Sequence, residues 1–101
     1  MLFHVTFHLD RQSPAFVERQ AELVEAQNRQ VAEVQKEGRL VGLWRRADWN
    51  GSIGVIDAAS NEDLARYIAS LPMFPFFRSI DVVPLTPYAG FEEFCEPRVK
   101  V

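Results

Sequence analysis

The sequence predicts an α+β fold with the element order β-α-β-β-α-β, and three observations predict it. Residues 1–9 alternate strictly, with Phe3, Val5, Phe7 and Leu9 between His4, Thr6 and His8, the period of two of a half-buried strand. Two later stretches carry helical start signals and apolar residues at helical spacing. Between those stretches, two short strand-like runs flank Asp48-Trp49-Asn50-Gly51, a hairpin signal.

The elements follow in order. The first strand is expected over Met1–Leu9. Ser13-Pro14 opens the first helix, with a hydroxyl at the cap and proline at the first helical position. That helix is expected to run to about Lys36, where Gly38 stops it. Its inward stripe takes Phe16, Leu23, Val24, Val31 and Val34. Gln20 and Gln27 fall within the stripe, where a polar group must find a partner or line a cavity. Glu18, Glu22, Glu25, Arg29 and Glu33 form the solvated face. Arg39–Ala47 is the second strand and Ser52–Asp57 the third. Ser60-Asn61-Glu62-Asp63 resembles a capping box with Asp63 in place of the usual glutamate. Leu64, Tyr67, Ile68 and Leu71 are the buried stripe of the helix it opens.

Leu71-Pro72-Met73-Phe74-Pro75-Phe76-Phe77 then forms an aromatic corner that ends the second helix, because proline has no backbone donor. The corner is either a pocket wall or a rigid hydrophobic connection. A fourth strand follows from about Arg78 to Leu85. This order is the ferredoxin-like split βαβ arrangement, two helices on one face of a four-stranded antiparallel sheet. The uncovered face is expected to carry His4, Thr6, Trp44, Ser52, Gly54 and Ile56. An indole among aliphatic groups on a bare sheet calls for a partner, so a homo-oligomer pairing through its sheets is expected. Residues 1–86 form the domain. Residues 87–101 form a tail bearing Phe91, Phe94 and Cys95, expected to dock on a neighbouring subunit.

Composition narrows the functional classes. A chain of 101 residues is one domain. With a net charge of −3 and no Lys/Arg block, it is not expected to bind nucleic acid or an anionic membrane. It has no apolar run of transmembrane length and no basic leader, so the cytoplasm is the expected location. A single cysteine, Cys95, makes no intramolecular disulfide and no cysteine metal cluster. His4 and His8 share a strand face, but two imidazoles without an acidic third ligand are a weak metal signal, and no metal is expected.

Several pieces of the chain resemble the muconolactone Δ-isomerases. They are Met1-Leu2-Phe3-His4-Val5, Gly38, Leu43-Trp44-Arg45, Asp57 with Ser60-Asn61 and Leu64, Leu71-Pro72-Met73-Phe74-Pro75-Phe76, and Pro84-Leu85. The resemblance covers about residues 1–86. It implies a small cofactor-free enzyme of bacterial aromatic catabolism, an intramolecular oxidoreductase of the β-ketoadipate pathway. Such an enzyme isomerises muconolactone to the enol-lactone of 3-oxoadipate. The resemblance also implies large rings of dimers, commonly decamers, with a pocket near a subunit contact. The chain departs from the family where a substrate would be touched. Ala26-Gln27-Asn28 stands where the family carries an Arg-Glu-Lys-like run, Asp48 replaces a glycine, and the tail is acidic and aromatic.

Moving a double bond within a lactone requires a base that returns its proton, donors for the developing enolate oxygen, and a cation for the side-chain carboxylate. Arg45, whose planar fork suits a carboxylate, is the expected clamp, with Trp44 beside it either packing or touching substrate. Glu22, matching a family glutamate on this helix, and His4, which titrates in the right range, are the candidate bases. Against those roles stand a solvated helix glutamate and a subunit-contact histidine. Ser52 and Gln27 are candidate donors, and Phe74 and Phe76 candidate pocket walls that exclude water. The competing functions are an isomerase of another lactone or enone, a non-catalytic module holding a small aromatic acid, and a structural assembly subunit.

Overall fold

A computed structural model describes residues 1–95. The elements are β1 (Leu2–Leu9), α1 (Pro14–Lys36), β2 (Leu40–Arg45), β3 (Gly51–Asp57), α2 (Asn61–Ser70) and β4 (Phe77–Leu85), with single 3-10 turns at Phe74–Phe76 and Glu92–Phe94. The strands form one sheet in the order β2-β3-β1-β4, and every neighbouring pair is antiparallel. This is the expected ferredoxin-like topology. Residues 96–101 of the expected tail lie outside the described residues.

Local chemistry sets most boundaries. At the end of α1, Gly38 takes φ 75°. Its N–H donates to the Gln35 carbonyl at 3.0 Å and the Arg39 N–H to the Val34 carbonyl at 3.2 Å, which is a Schellman stop. At the other end, Ser13 makes no side-chain capping bond; Pro14 sets the start by its fixed φ alone. Ser60 Oγ caps α2 by accepting the Asp63 N–H at 3.1 Å. The return arm of the expected capping box differs. Asp63 is one carbon shorter than glutamate, and its carboxylate accepts from the Ala59 N–H at 3.1 Å rather than from Ser60. In the β2–β3 hairpin the positive φ angles fall on Trp49 (65°) and Gly51 (141°), not on Asn50. Gly51 is obligatory twice over, because a Cβ there would also fall on the Phe7 carbonyl oxygen.

Register decides which side chains face the helices. Phe3, Val5 and Phe7 stand opposite Ile56, Gly54 and Ser52 on β3, and opposite Pro84, Val82 and Ile80 on β4. Directly paired residues share a face. Ser52, Gly54 and Ile56 therefore lie on the helix-covered side, which corrects their expected place on the bare face. Both sets of β3 residues are apolar or small, so alternation alone does not say which set is inward. The bare face carries His4, Thr6 and His8 of β1, Ile53 and Val55 of β3, Trp44 of β2, and Asp81 and Val83 of β4. Under the helices, Phe3, Val5, Phe7, Ile56, Leu64, Ile68 and Leu71 form one buried cluster. Leu9, Phe16, Leu23 and Met73 form a second, with Phe76 and Phe77 packed against it. Of the residues expected in the α1 stripe, Val31 is only half-buried and Val24 is exposed.

Candidate functional site

A narrow cleft lies where α1 and α2 cross the covered face of β2 and β3. Gln27 reaches it from α1, Ser52 from β3 and Tyr67 from α2, among Phe7, Val31, Leu40, Leu43 and Leu71. Its volume is about 30 Å³, well below the ~300 Å³ at which small-ligand sites begin, so a ligand must widen it. Gln27 Oε1 accepts the backbone N–H of Met73 at 3.2 Å. That bond ties α1 to the aromatic corner and leaves the carboxamide NH2 as the donor available to the cleft. Burial pushes the Tyr67 phenol above its ordinary value, partly offset by Arg39, whose guanidinium sits 5.6 Å from the ring centre. Tyr67 is therefore held protonated, as a hydrogen-bond donor. The lining presents an amide, a hydroxyl and a phenol, and among the described residues no carboxylate or imidazole.

The structure brings two of the sequence-derived site residues, Gln27 and Ser52, into this one cleft. Arg45 is the cross-strand partner of Ser52 on the same face. Its guanidinium lies 4.6 Å over the Trp49 ring, beside the cleft rather than in its lining. The others disperse. Trp44 and His4 are on the bare face, where a Cβ on Gly42 would meet the Trp44 ring at 2.5 Å, so the indole lies folded across that glycine. Glu22 is on the outer face of α1, exposed and paired with Arg19 at 2.7 Å. Phe74 lines a separate groove between α2 and β4. Phe76 packs on Phe16 with ring centres 5.6 Å apart, half-buried against the second core cluster.

Two features escape a reading of the sequence. Tyr67 reads there as packing in the α2 stripe; its hydroxyl, the one polar atom in that stripe, is the available signal. The second is a polar pocket of about 450 Å³ at the hairpin end of the sheet, lined by His8, Arg11, Arg46, Asp48, Asn50 and Arg78 among others. There His8 Nε2 lies 3.0 Å from the Asp81 carboxylate and 3.5 Å from the Arg46 guanidinium. Arg46 forks onto Asp48 at 3.1 and 2.7 Å. That fork, with a further bond from the Asn50 N–H, holds the Asp48 carboxyl down at about 2. His8 and Asp81 are 73 residues apart, and only the β1–β4 register brings them together.

Fold and cleft together define a ferredoxin-like α+β protein with a donor-lined cleft between its helices and its sheet. Among the described residues, no helix is long and apolar enough to cross a membrane. The family model described as muconolactone delta-isomerase matches residues 1–90, and the chain belongs to that family. It is 32% identical over 87 residues to the muconolactone Delta-isomerase of Acinetobacter baylyi, a match covering 84% of this chain and 88% of that one. Against the Rhodococcus opacus enzyme of the same name it is 29% identical over 58 residues, and the match spans only 61% of that relative. A crystal structure of muconolactone isomerase superposes with a TM-score of 0.74 at 29% identity, covering 89% of this chain and 93% of the other. The 5-chloro-2-hydroxyhydroquinone dehydrochlorinase of Burkholderia phenoliruptrix shares the fold, with a TM-score of 0.67 at 13% identity. Membership of the family supports an isomerase activity.

Proposed function

We propose that this protein is a cofactor-independent isomerase that shifts a C=C bond by proton transfer in a small unsaturated lactone bearing a carboxylate. The family match over residues 1–90 carries the reaction class. The cleft supports it with the donors an enolate needs. As a proton leaves carbon, charge moves to the lactone oxygen, and the Gln27 NH2, the Ser52 hydroxyl and the Tyr67 phenol are donors suited to receive it. Arg45, one strand from Ser52, takes the carboxylate by leaving its stack on Trp49. The buried Phe7 and Leu71 line the cleft with apolar surface, which strengthens each polar contact. The candidate bases Glu22 and His4 lie outside this cleft in one copy, on the outer face of α1 and on the bare sheet face, so in this reading the base reaches the cleft from a neighbouring copy, and replacing each residue tests it. The working form in this reading is a homo-oligomer that joins through the bare sheet faces, covering Trp44 and Val83, 44% and 52% exposed in one copy.

The test is turnover of muconolactone followed by ultraviolet absorbance. Turnover is expected, and Arg45→Ala should lower kcat/KM by roughly 10- to 100-fold, the worth of hydrogen bonds to a charged group. Unchanged kinetics in that variant would remove Arg45 from the site. One observation favours a second reading: the cleft lining carries no carboxylate or imidazole among the described residues. On that reading the protein binds a small unsaturated or aromatic acid without converting it. Saturable binding of such an acid with no turnover would decide for it.

A further inference from the structure

The polar pocket at the hairpin end of the sheet has no part in the proposed reaction. At about 450 Å³ it falls within the size range of small-ligand sites, and its lining shares no residue with the cleft. Three segments far apart in the sequence build it: residues 8–12 where β1 gives way to α1, the hairpin with Arg46, Asp48 and Asn50, and Arg78 near the start of β4. Backbone bonds already join these walls. The Leu9 N–H donates to the Asn50 carbonyl at 2.8 Å, which fixes the hairpin against β1. The Asp10 N–H donates to the Phe76 carbonyl at 2.9 Å, which fixes the segment ahead of β4. A recess whose walls are bonded in advance spends little ordering free energy when a ligand enters.

Positive charge gathers in this pocket although the chain as a whole carries −3. Its lining holds Arg11, Arg46 and Arg78 against Asp10 and Asp48. Arg46 and Asp48 satisfy each other through their fork, and Asp10 Oδ1 accepts the Gln12 N–H at 3.2 Å. Arg11 and Arg78 are exposed and have no ion-pair partner among the described residues. Arg78 arrives there through a break in the ladder. His8 pairs with Ser79 and Leu9 with Phe77, so Arg78 is an extra residue with no partner on β1. Such a bulge bends its strand and re-aims a side chain. Here the residue it frees is a guanidinium on the pocket wall.

We propose that this pocket binds a small dicarboxylate, with one carboxylate forked by Arg11 and the other by Arg78. A guanidinium presents a planar pair of N–H donors that match the two oxygens of a carboxylate. Two such groups on different walls, one before α1 and one on β4, favour a molecule with two acidic ends. Arg46 adds positive field to the lining, while its own donors stay with Asp48 and its Nη1 lies 3.5 Å from His8 Nε2. The site is independent of the proposed isomerisation and of the sheet-face pairing.

The test titrates the full chain with succinate, glutarate and adipate, followed by calorimetry and by backbone amide NMR. Saturable binding of at least one diacid is expected, with the amide shifts centred on residues 8–12, 46–50 and 78. Arg11→Gln and Arg78→Gln should each weaken it by roughly tenfold or more, the worth of hydrogen bonds to a charged group. Both side chains are exposed and outside the core clusters, so an unchanged circular-dichroism spectrum is expected and certifies the fold. Arg66→Gln, which removes an unpaired arginine on α2 away from the pocket, should leave the affinity as it was. Butyrate, with one carboxylate, and inorganic phosphate should each bind about tenfold more weakly than the diacid. Four results would overturn the proposal. The first is no saturable binding of any of the three diacids. The second is a loss from Arg66→Gln equal to that from Arg78→Gln, which would make the effect one of overall charge. The third is a set of amide shifts confined to the cleft around Gln27 and Ser52. The fourth is butyrate or phosphate binding as tightly as the diacid, which would leave a site for one anionic group only.

Discussion

Replacing Gln27 with leucine should destabilise the protein by about 1–3 kcal/mol, although leucine fills nearly the same space and suits the apolar surroundings better. The cause is the partner left behind. The Met73 N–H donates to Gln27 Oε1 at 3.2 Å, and Met73 is only 8% exposed, packed among Leu9, Phe16 and Leu23. Leucine removes the acceptor and leaves that donor without water, which costs its desolvation in full rather than the smaller net worth of the bond. For a domain of about 100 residues each kcal/mol moves Tm by roughly 4–8 °C, so a fall of at least several degrees is expected. Urea unfolding should show a lower midpoint at unchanged slope. Gln27→Glu keeps an oxygen in place and should recover most of the loss near neutral pH, since a carboxylate accepts the same N–H more strongly. A leucine variant within about 0.5 kcal/mol of the parent, or a glutamate variant as unstable as leucine, would refute the assignment.

Other consequences are as direct. Gly51→Ala meets both a φ of 141° and the Phe7 carbonyl, and should lower stability by more than ~1 kcal/mol in thermal melts; an unchanged Tm would contradict the hairpin geometry. The folded pKa of Asp48, about 2, lies below the ordinary value of 3.8. Its pairing with Arg46 therefore stabilises the fold above about pH 4 and is lost as pH falls toward 2. Arg46→Met should move the Asp48 carboxyl up toward the ordinary range in a carbon NMR titration, with the Asn50 N–H still holding it somewhat low, and no movement would exclude Arg46 as the main cause. Tyr67→Phe should remove the ultraviolet ionisation step that lies above the ordinary tyrosine range. It should also lower kcat more than it raises KM if the phenol meets the enolate; equal effects on both would make Tyr67 a packing residue.

The topology is legible because its signals are local. Alternation from Phe3 to Leu9, proline at the start of α1, Gly38 at its end and Ser60 before α2 each act within a few residues. The inward set of β3 is not legible. Ile53 and Val55 look as apolar as Gly54 and Ile56, and only pairing with β1 fixes the side. The site divides on the same line. Gln27 is readable as a polar group in an apolar stripe, and it does meet the cleft. Ser52 reads as a donor, but on the wrong face, and the register that moves it is also what sets it against Gln27 and Tyr67. Glu22 looks like a base by position in the chain. A 2.7 Å partner three residues away, Arg19, holds it at the outer surface instead. The His8–Asp81 pair depends on strands at opposite ends of the sequence, which no short-range pattern reports.

The polar inventory of the cleft constrains its chemistry more than its shape does. Three neutral donors stabilise an anion once it exists, but they do not make one; removing a carbon-bound proton needs an acceptor of suitable basicity within reach. Gln27 is the residue best placed for that task, on α1 and over the sheet, and its amide cannot accept and return a proton. Its oxygen is already committed to Met73, so the position has a structural duty that glutamine fulfils. A chain can thus exchange the carboxylate for an amide there without losing the corner, the packing or the fold. On the proposed reading, the cleft then keeps its donors for an oxyanion while the demand for a base passes elsewhere. Substrate acidity becomes the deciding variable: the more acidic the carbon, the less basic the missing partner has to be, and the better such a donor-only cleft serves the reaction.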